Sequence, residues 1–272
     1  MARRLSDGRL HLQHGPIDLV IFGAEDELSR AQQRFATVLE ELVAELPLLR
    51  APVGGAYPLA GGAIARRMIA AVWPHHAAFI TPMAAVAGAV ADEVLEAMRP
   101  AGRAYVNNGG DIAVHLPPGA SFDAGIVCNL HDPRVDATMR LERSCGVATS
   151  GWRGRSQSLG IADAVTVVAH NGAAADAAAT LIANEVNVAH PAIERRPARE
   201  MKEDSDLGEL PVTLGVGALP ASAVRAALAA GLRAARAMQR RGLIRAASLS
   251  LQRQTLVLTP LGQPEAVRAG RR

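Results

Sequence analysis

Hydrophobic and polar positions change period several times along the chain, and each change marks an element. Residues 10–14 are apolar at alternate positions (Leu10-His11-Leu12-Gln13-His14), and residues 17–22 are apolar and rich in β-branched side chains. Gly15-Pro16 separates the two runs, so the pattern predicts a β-hairpin. Over 25–46, Leu28, Ala31, Phe35, Leu39, Leu42 and Leu46 recur at helical spacing. Acidic residues fill the first turn, where the positive end of a helix favours them. A Gly/Pro-rich loop covers 52–62, a short helix 64–72, and residues 77–80 form a strand candidate. Thr81-Pro82 opens a helix of mostly small residues at 84–98, closed by Pro100-Ala101-Gly102.

Strand patterns then crowd together at 104–107, 112–116, 124–130, 138–142 and 164–169. Asn171-Gly172 turns into a helix at 174–186, and residues 191–208 are polar and aperiodic, as in a loop. A strand at 211–216 precedes a helix from Pro220 to about Arg241, with Gly242 placed as a left-handed cap. Strands at 247–252 and 255–258 complete the pattern, and the tail from 260 is expected to fray. Strands and helices mix without strict alternation, which predicts an α+β fold with a largely antiparallel sheet. The expected organisation is one domain over 1–272, with a C-terminal αβ unit at about 209–258 after the polar loop 191–208.

Composition changes this picture little. A chain of 272 residues with 49% hydrophobic positions can bury a core without metals or disulfides. The net charge of +3 is carried almost wholly by scattered arginines, with Lys202 the only lysine. Nucleic-acid binders cluster their basic residues and interleave aromatics, so no nucleic-acid partner is expected. Cys128 and Cys145 have no zinc-type spacing. The basic start is followed by no apolar run, and no segment is long and apolar enough for a membrane span. A cytoplasmic location and no membrane partner are therefore expected.

Three segments could carry chemistry. In Asn107-Asn108-Gly109-Gly110-Asp111 two glycines let the backbone turn sharply and approach a ligand. Asp111 could then accept from a ligand hydroxyl, or simply bond within its own turn. The stretch 146–156 offers Thr149, Ser150, Gly151 and Arg153 in a loop suited to an anion, yet it lacks the Walker and Rossmann patterns. Asp176 and Thr180, at i and i+4 of a helix, could give oxygens to Mg²⁺. A first-turn carboxylate and a back-bonded threonine are the plainer alternative.

The order of these segments resembles the ApbE-like superfamily of FAD:protein FMN transferases. Residues 107–112 are similar to its N-x-GGD-[IV] element, 146–151 to its A-T-S-G element, and 175–180 to its A-D-A-x-A-T element. Residues 83–92 resemble its G-A-I-A-K-G-Y-A-V-D helix. The stretch Gly146-Val147-Ala148-Thr149-Ser150-Gly151-Trp152-Arg153 and its continuation to Thr166 resembles the UPF0280 subfamily more closely. The resemblance spans roughly 5–258 and implies an ApbE-like mixed sheet with packed helices. It further implies Mg²⁺ held by Asp176, Thr180 and the carbonyl of Ala84. FAD would be the substrate or ligand, contacted by Asn108, Gly109, Gly110, Asp111, Thr149, Ser150, Gly151 and Arg153. A flavoprotein would be the FMN acceptor. Ala87, Ala89 and Gln157 stand where the resemblance places Lys, Tyr and His.

Three readings follow. One is an ApbE-type transferase or hydrolase acting on a flavin nucleotide. Another is an enzyme of a different reaction type on the same fold, acting on a carboxylated or phosphorylated small molecule; the three departures favour it. The third is a non-catalytic binding or assembly module, whose Ala-rich helices would join copies into a homo-oligomer.

Overall fold

The computed structural model describes residues 1–126, 137–154 and 156–260. Cys128, His131, Arg155, the end of the expected strand 124–130 and the tail beyond 260 lie outside the described residues. In chain order the elements are β1 (Ala2–Arg4), β2 (Leu10–His14), β3 (Ile17–Phe22), α1 (Glu25–Phe35), α2 (Val38–Ala44), α3 (Leu46–Arg50) and α4 (Ala63–Val72). Then come α5 (Val86–Met98), β4 (Ala104–Asn108), β5 (Asp111–His115), β6 (Phe122–Ile126), β7 (Ala137–Leu141), β8 (Cys145–Ser150), β9 (Ala164–Ala169) and α6 (Gly172–Glu185). The chain continues with β10 (Ile193–Pro197), α7 (Ala198–Met201), β11 (Pro211–Val216), α8 (Ala221–Arg240), β12 (Ala246–Leu251) and β13 (Gln254–Leu258). Helices combine with a largely antiparallel sheet, as the hydrophobic pattern predicts.

The chain divides into two compact units. The first comprises Met1–Phe122, Arg140–Ala148 and Ala169–Ala177; the second comprises Asp123–Met139, Thr149–Val168 and Ala178–Arg272.

In the first unit β1 to β5 form an antiparallel meander, and β8 adds to β5 with Ile112 opposite Val147. The β2–β3 hairpin turns at Gly15, whose φ is 56°. Ile17, Leu19 and Ile21 alternate inward along β3. Burying each such side chain contributes roughly 1.5–3 kcal/mol. Helix α5 packs on β4 and β5 with Val90, Val94 and Met98 fully buried. Glu93 ties three helices together: Arg34 Nε of α1 reaches it at 3.0 Å and Arg67 Nε of α4 at 2.8 Å.

In the second unit β9 is buried at every position and pairs with β12, which pairs with β13. The β12–β13 turn puts Gln252 and Arg253 at φ 45° and 67°. Gly231 of α8 allows close packing: a Cβ there would lie 2.3 Å from Val186 Cγ2 and 2.9 Å from Leu249 Cδ2. β10 and β11 form a separate antiparallel ribbon.

Several expectations are corrected. The helix expected over 25–46 is broken into α1 and α2, and its last residue already belongs to α3. At the first break the Thr37 hydroxyl donates to Glu41 (2.6 Å) and accepts from Arg34 (2.8 Å), a local bonding pattern that competes with a continuous helix. Residues 77–80 are not a strand; Val53 N–H donating to the Ile80 carbonyl at 2.9 Å is their link to the preceding loop. Helix α5 ends at Arg99, itself left-handed at φ 51°, before the Pro100-Ala101-Gly102 turn. The loop expected from 146 is β8 as far as Ser150. The loop 191–208 contains β10 and α7. Gly242 closes α8 at φ 73°, as anticipated.

Candidate functional site

In the first unit, the starts of α5 and α6 meet. Both Gly88 and Gly172 are needed there. A Cβ on Gly88 would lie 2.2 Å from the Gly172 carbonyl oxygen and 2.7 Å from the Ala173 nitrogen. Gly146 of β8 is equally confined, since its Cβ would fall 2.0 Å from the carbonyl of Asn171. These approaches are of backbone on backbone, and only glycine permits them.

Two positive helix ends would repel at this distance, and two carboxylates counter them. Asp92, in the middle of α5, accepts from the Gly172 N–H with Oδ1 and from the Ala173 N–H with Oδ2, both at 2.8 Å. Asp176, in the second turn of α6, accepts from the Gly88 N–H at 3.0 Å. Each helix thus sends a carboxylate to the amino end of the other. Asn171 caps α6 by accepting from the Ala174 N–H at 2.8 Å, and Ala175 N–H donates to the Asn171 carbonyl at 3.1 Å. The first four amides of α6 are all engaged, so they are not an open anion site.

The Gly109-Gly110 turn reaches the same place. Gly109 and Gly110 have φ of 64° and 113°, the paired positive values of a tight hairpin, with Asn108 opposite Asp111. Gly110 N–H donates to Asn107 Oδ1 at 2.8 Å, so this amide closes the turn itself. Asn108 is buried, and its Nδ2 donates to the Ala87 carbonyl at 3.1 Å, fastening the hairpin to the start of α5. Asp111 comes close enough to act on Asp176 electrostatically. Burial first, then the negative charge of Asp111, pushes the Asp176 carboxyl well above the usual carboxylate range, against the amides of Gly88 and Ala87 that favour the charged form. Asp92 is pushed up to about 6, mainly by burial, against its two amide bonds.

In the second unit, Thr149 Oγ1 shares a hydrogen bond with Thr166 Oγ1 at 2.9 Å. Gly151 has room for no side chain, since a Cβ would lie 2.5 Å from the Asp163 carbonyl oxygen. Arg153 is held rather than open: Nε donates to Asp163 Oδ1 at 3.1 Å, and its guanidinium lies 4.5 Å from the centre of the Trp152 ring. Asp163 also accepts from Trp152 Nε1 and from the Gln252 N–H, which makes it the anchor of the loop.

A family model described as AbpE bacteria matches residues 2–263. The chain belongs to this family. It is 32% identical over 192 residues to a UPF0280 protein of Methanothrix thermoacetophila, covering 64% of this chain and 75% of that one. It is 41% identical over 125 residues to a UPF0280 protein of Methanosarcina barkeri, covering 42% and 47% of the two chains. The third example, a UPF0280 protein of Methanopyrus kandleri, is 38% identical over 139 residues, 50% and 56% of the two chains. The matched region thus spans about half the length of the latter two relatives.

In this AbpE bacteria chain the first unit brings together Asn108, Gly109, Gly110, Asp111 and Asp176. Ala84 lies in a single 3-10 turn before α5, its N–H donating to the Thr81 carbonyl at 3.1 Å. Thr180 follows Asp176 by one turn of α6, and Thr149, Ser150, Gly151 and Arg153 belong to the second unit. Among the described residues no three His, Cys, Asp or Glu side chains converge on one point as a metal group, so a cation here would need carbonyl, hydroxyl, water or ligand oxygens. Gln157 holds the structure together locally, because Nε2 donates to the Ala198 carbonyl at 2.9 Å and Oε1 accepts from the Ser205 hydroxyl at 2.5 Å. A cavity of about 230 Å³ in the first unit is lined by Asp92, His115, Cys145 and His170 and not by the residues named from sequence. No helix among the described residues is long and apolar enough to cross a membrane.

Sequence reasoning missed Asp92 as a working residue. The available signal was a carboxylate in the otherwise apolar run Val90-Ala91-Asp92, on a helix face that is buried. A charge in such a place needs dedicated partners.

Proposed function

We propose that this chain is an ApbE-type enzyme that takes a flavin nucleotide, FAD, together with Mg²⁺ at the carboxylate pair Asp176 and Asp111. The supporting observation is the pair of carboxyl groups there. Two carboxylates lie close together beside a Gly-Gly turn, and Asp176 is held there with a strongly raised proton affinity. A hard divalent cation is the partner that such a pair of oxygens fits. Asp176 would hold it with Asp111 and the carbonyl of Ala84. When bound, the cation would neutralise pyrophosphate oxygens and polarise phosphorus. Gly110 leaves space for the nucleotide, a Cβ there meeting nothing within 4 Å.

The reaction would form one oxygen–phosphorus bond at the FMN phosphate and break the anhydride bond to AMP, which leaves with the bridging oxygen. The attacking oxygen comes from a Thr or Ser of a flavoprotein, or from water. Thermal unfolding with FAD, with Mg²⁺ and with both tests this. Stabilisation that needs both and vanishes in Asp176→Ala is expected, with FMN and AMP as products. No stabilisation at millimolar FAD overturns the reading. Stabilisation without cleavage favours the second reading, another reaction on a phosphorylated small molecule, for which Ala87, Ala89 and Gln157 speak.

A further inference from the structure

We propose that Asp92 is a positioning residue for Asp176, fixing the start of α6 against α5 so that the Asp176 carboxylate stays at the Gly88 amide. The inference rests on the reading of Asp176 as the ligand-binding carboxylate, but its geometry stands without any ligand.

Asp92 is only 8% exposed, and both its oxygens are committed to the amides of Gly172 and Ala173. Among the described residues no other side chain engages those two amides, while Asn171 serves the next one, Ala174. Asp176 lies four residues beyond Gly172, about 6 Å along a rigid helix. A shift of the helix start is therefore carried directly to the Asp176 carboxylate. The return bond, Gly88 N–H to Asp176 at 3.0 Å, sits only four residues before Asp92 on α5. The two helices are thus latched at both ends of one short contact, with Gly88 and Gly172 in van der Waals touch between the latches. Asp92 also lines the 230 Å³ cavity of the first unit. Burial disfavours the charged carboxyl there, and the two amide bonds oppose that effect.

The test is amide hydrogen exchange by NMR on the full free chain, with Asp92→Asn as the variant. The Gly88 amide reports the position of Asp176 whether or not FAD binds. Loss of its hydrogen bond should speed Gly88 exchange by about 10-fold, together with that of Gly172 and Ala173. The amides of Leu19 and Ile21 in β3 should stay protected, which a general loosening would not allow. Asn171→Ala should expose Ala174 and leave Gly88 unchanged. If Asp92→Asn does not fold, Gly172→Ala perturbs the same contact more gently, its Cβ meeting the Gly88 carbonyl at 2.9 Å and Asp92 Oδ1 at 3.0 Å. Faster exchange at Gly172 and Ala173 with Gly88 unchanged would overturn the proposal and leave Asp92 a simple cap. A second readout joins it to function: at fixed FAD, Asp92→Asn should raise the Mg²⁺ needed for half-saturation by about 10–100-fold, as loss of an orienting partner does. If the wild-type chain shows no Mg²⁺-dependent FAD binding, the flavin reading fails, and the Gly88 exchange alone decides the role of Asp92.

Discussion

Substituting Gly88 by alanine probes the helix contact most sharply. The added methyl would lie 2.2 Å from the Gly172 carbonyl oxygen, 2.3 Å from its carbon and 2.7 Å from the Ala173 nitrogen. All three are backbone atoms, so no rotamer change relieves them. Ordinary contact needs about 3.5 Å, so the helix starts must part by more than about 1 Å. The bonds from Asp92 to Gly172 and Ala173 and from Asp176 to Gly88 start at 2.8–3.0 Å and cannot survive that separation intact. Hydrogen bonds to charged groups contribute about 1.5–3 kcal/mol each, so losing the two that the Asp92 carboxylate accepts costs about 3–6 kcal/mol. Alanine returns about 1 kcal/mol through helix propensity. A net loss of about 2–5 kcal/mol is expected, a fall of roughly 10 °C in Tm for a chain of this size. Urea and thermal unfolding should show it, with Gly102→Ala, whose Cβ meets nothing within 4 Å, unchanged as the control. Gly88→Ala unfolding within about 0.5 kcal/mol of wild type would refute the close contact between α5 and α6.

Three other outcomes follow from the same geometry. Asp92 has a folded pKa of about 6 against an ordinary 3.8, so its unfolded form ionises first as pH rises. Its stabilising contribution is full below about pH 4 and lost as pH passes 6, a change of about 3 kcal/mol. The stability difference between wild type and Asp92→Asn should therefore favour wild type more at pH 4 than at pH 7. Denaturation across that range checks the sign, and a pH-independent difference contradicts it. Glu93→Ala removes one partner from each of Arg34 and Arg67, which keep Glu41 and Glu96, so chemical denaturation should show a loss of only about 1 kcal/mol. Gln157→Ala frees the links to Ala198 and Ser205, so limited proteolysis should cut first within 198–208 while Tm falls by only a few degrees.

Much of the fold was legible because its signals are local. The alternation over 10–22 marked a hairpin, the small-residue runs at 84–98 and 174–186 marked helices, and Gly242 marked a helix end. What failed depended on partners far along the chain. Residues 146–150 read as part of a loop because they are small; they belong to β8, and Gly146 is there because the Asn171 backbone leaves no room for a side chain. β10 (Ile193–Pro197) alternates only between half-buried and exposed, since the two-stranded ribbon has no buried face at those positions to impose a hydrophobic rhythm. The break at Thr37 needed knowledge of Arg34 and Glu41 rotamers. Of the candidate site, Asn108, Gly109, Gly110, Asp111 and Asp176 were found by motif order, and the structure gathers them in one unit. Asp92 was not found, because its amide partners are some eighty residues away and a lone aspartate in a helix announces no cap.

The Asp176–Asp111 pair is proposed to receive Mg²⁺ with a flavin nucleotide. Crystals of the wild-type chain grown with FAD and Mn²⁺, read for anomalous density, address it most directly. The expected result is a metal peak at about 2.0–2.2 Å from an Asp176 oxygen, with FAD phosphate in its coordination sphere. FAD bound without metal at Asp176, or no FAD at millimolar concentration, would contradict it.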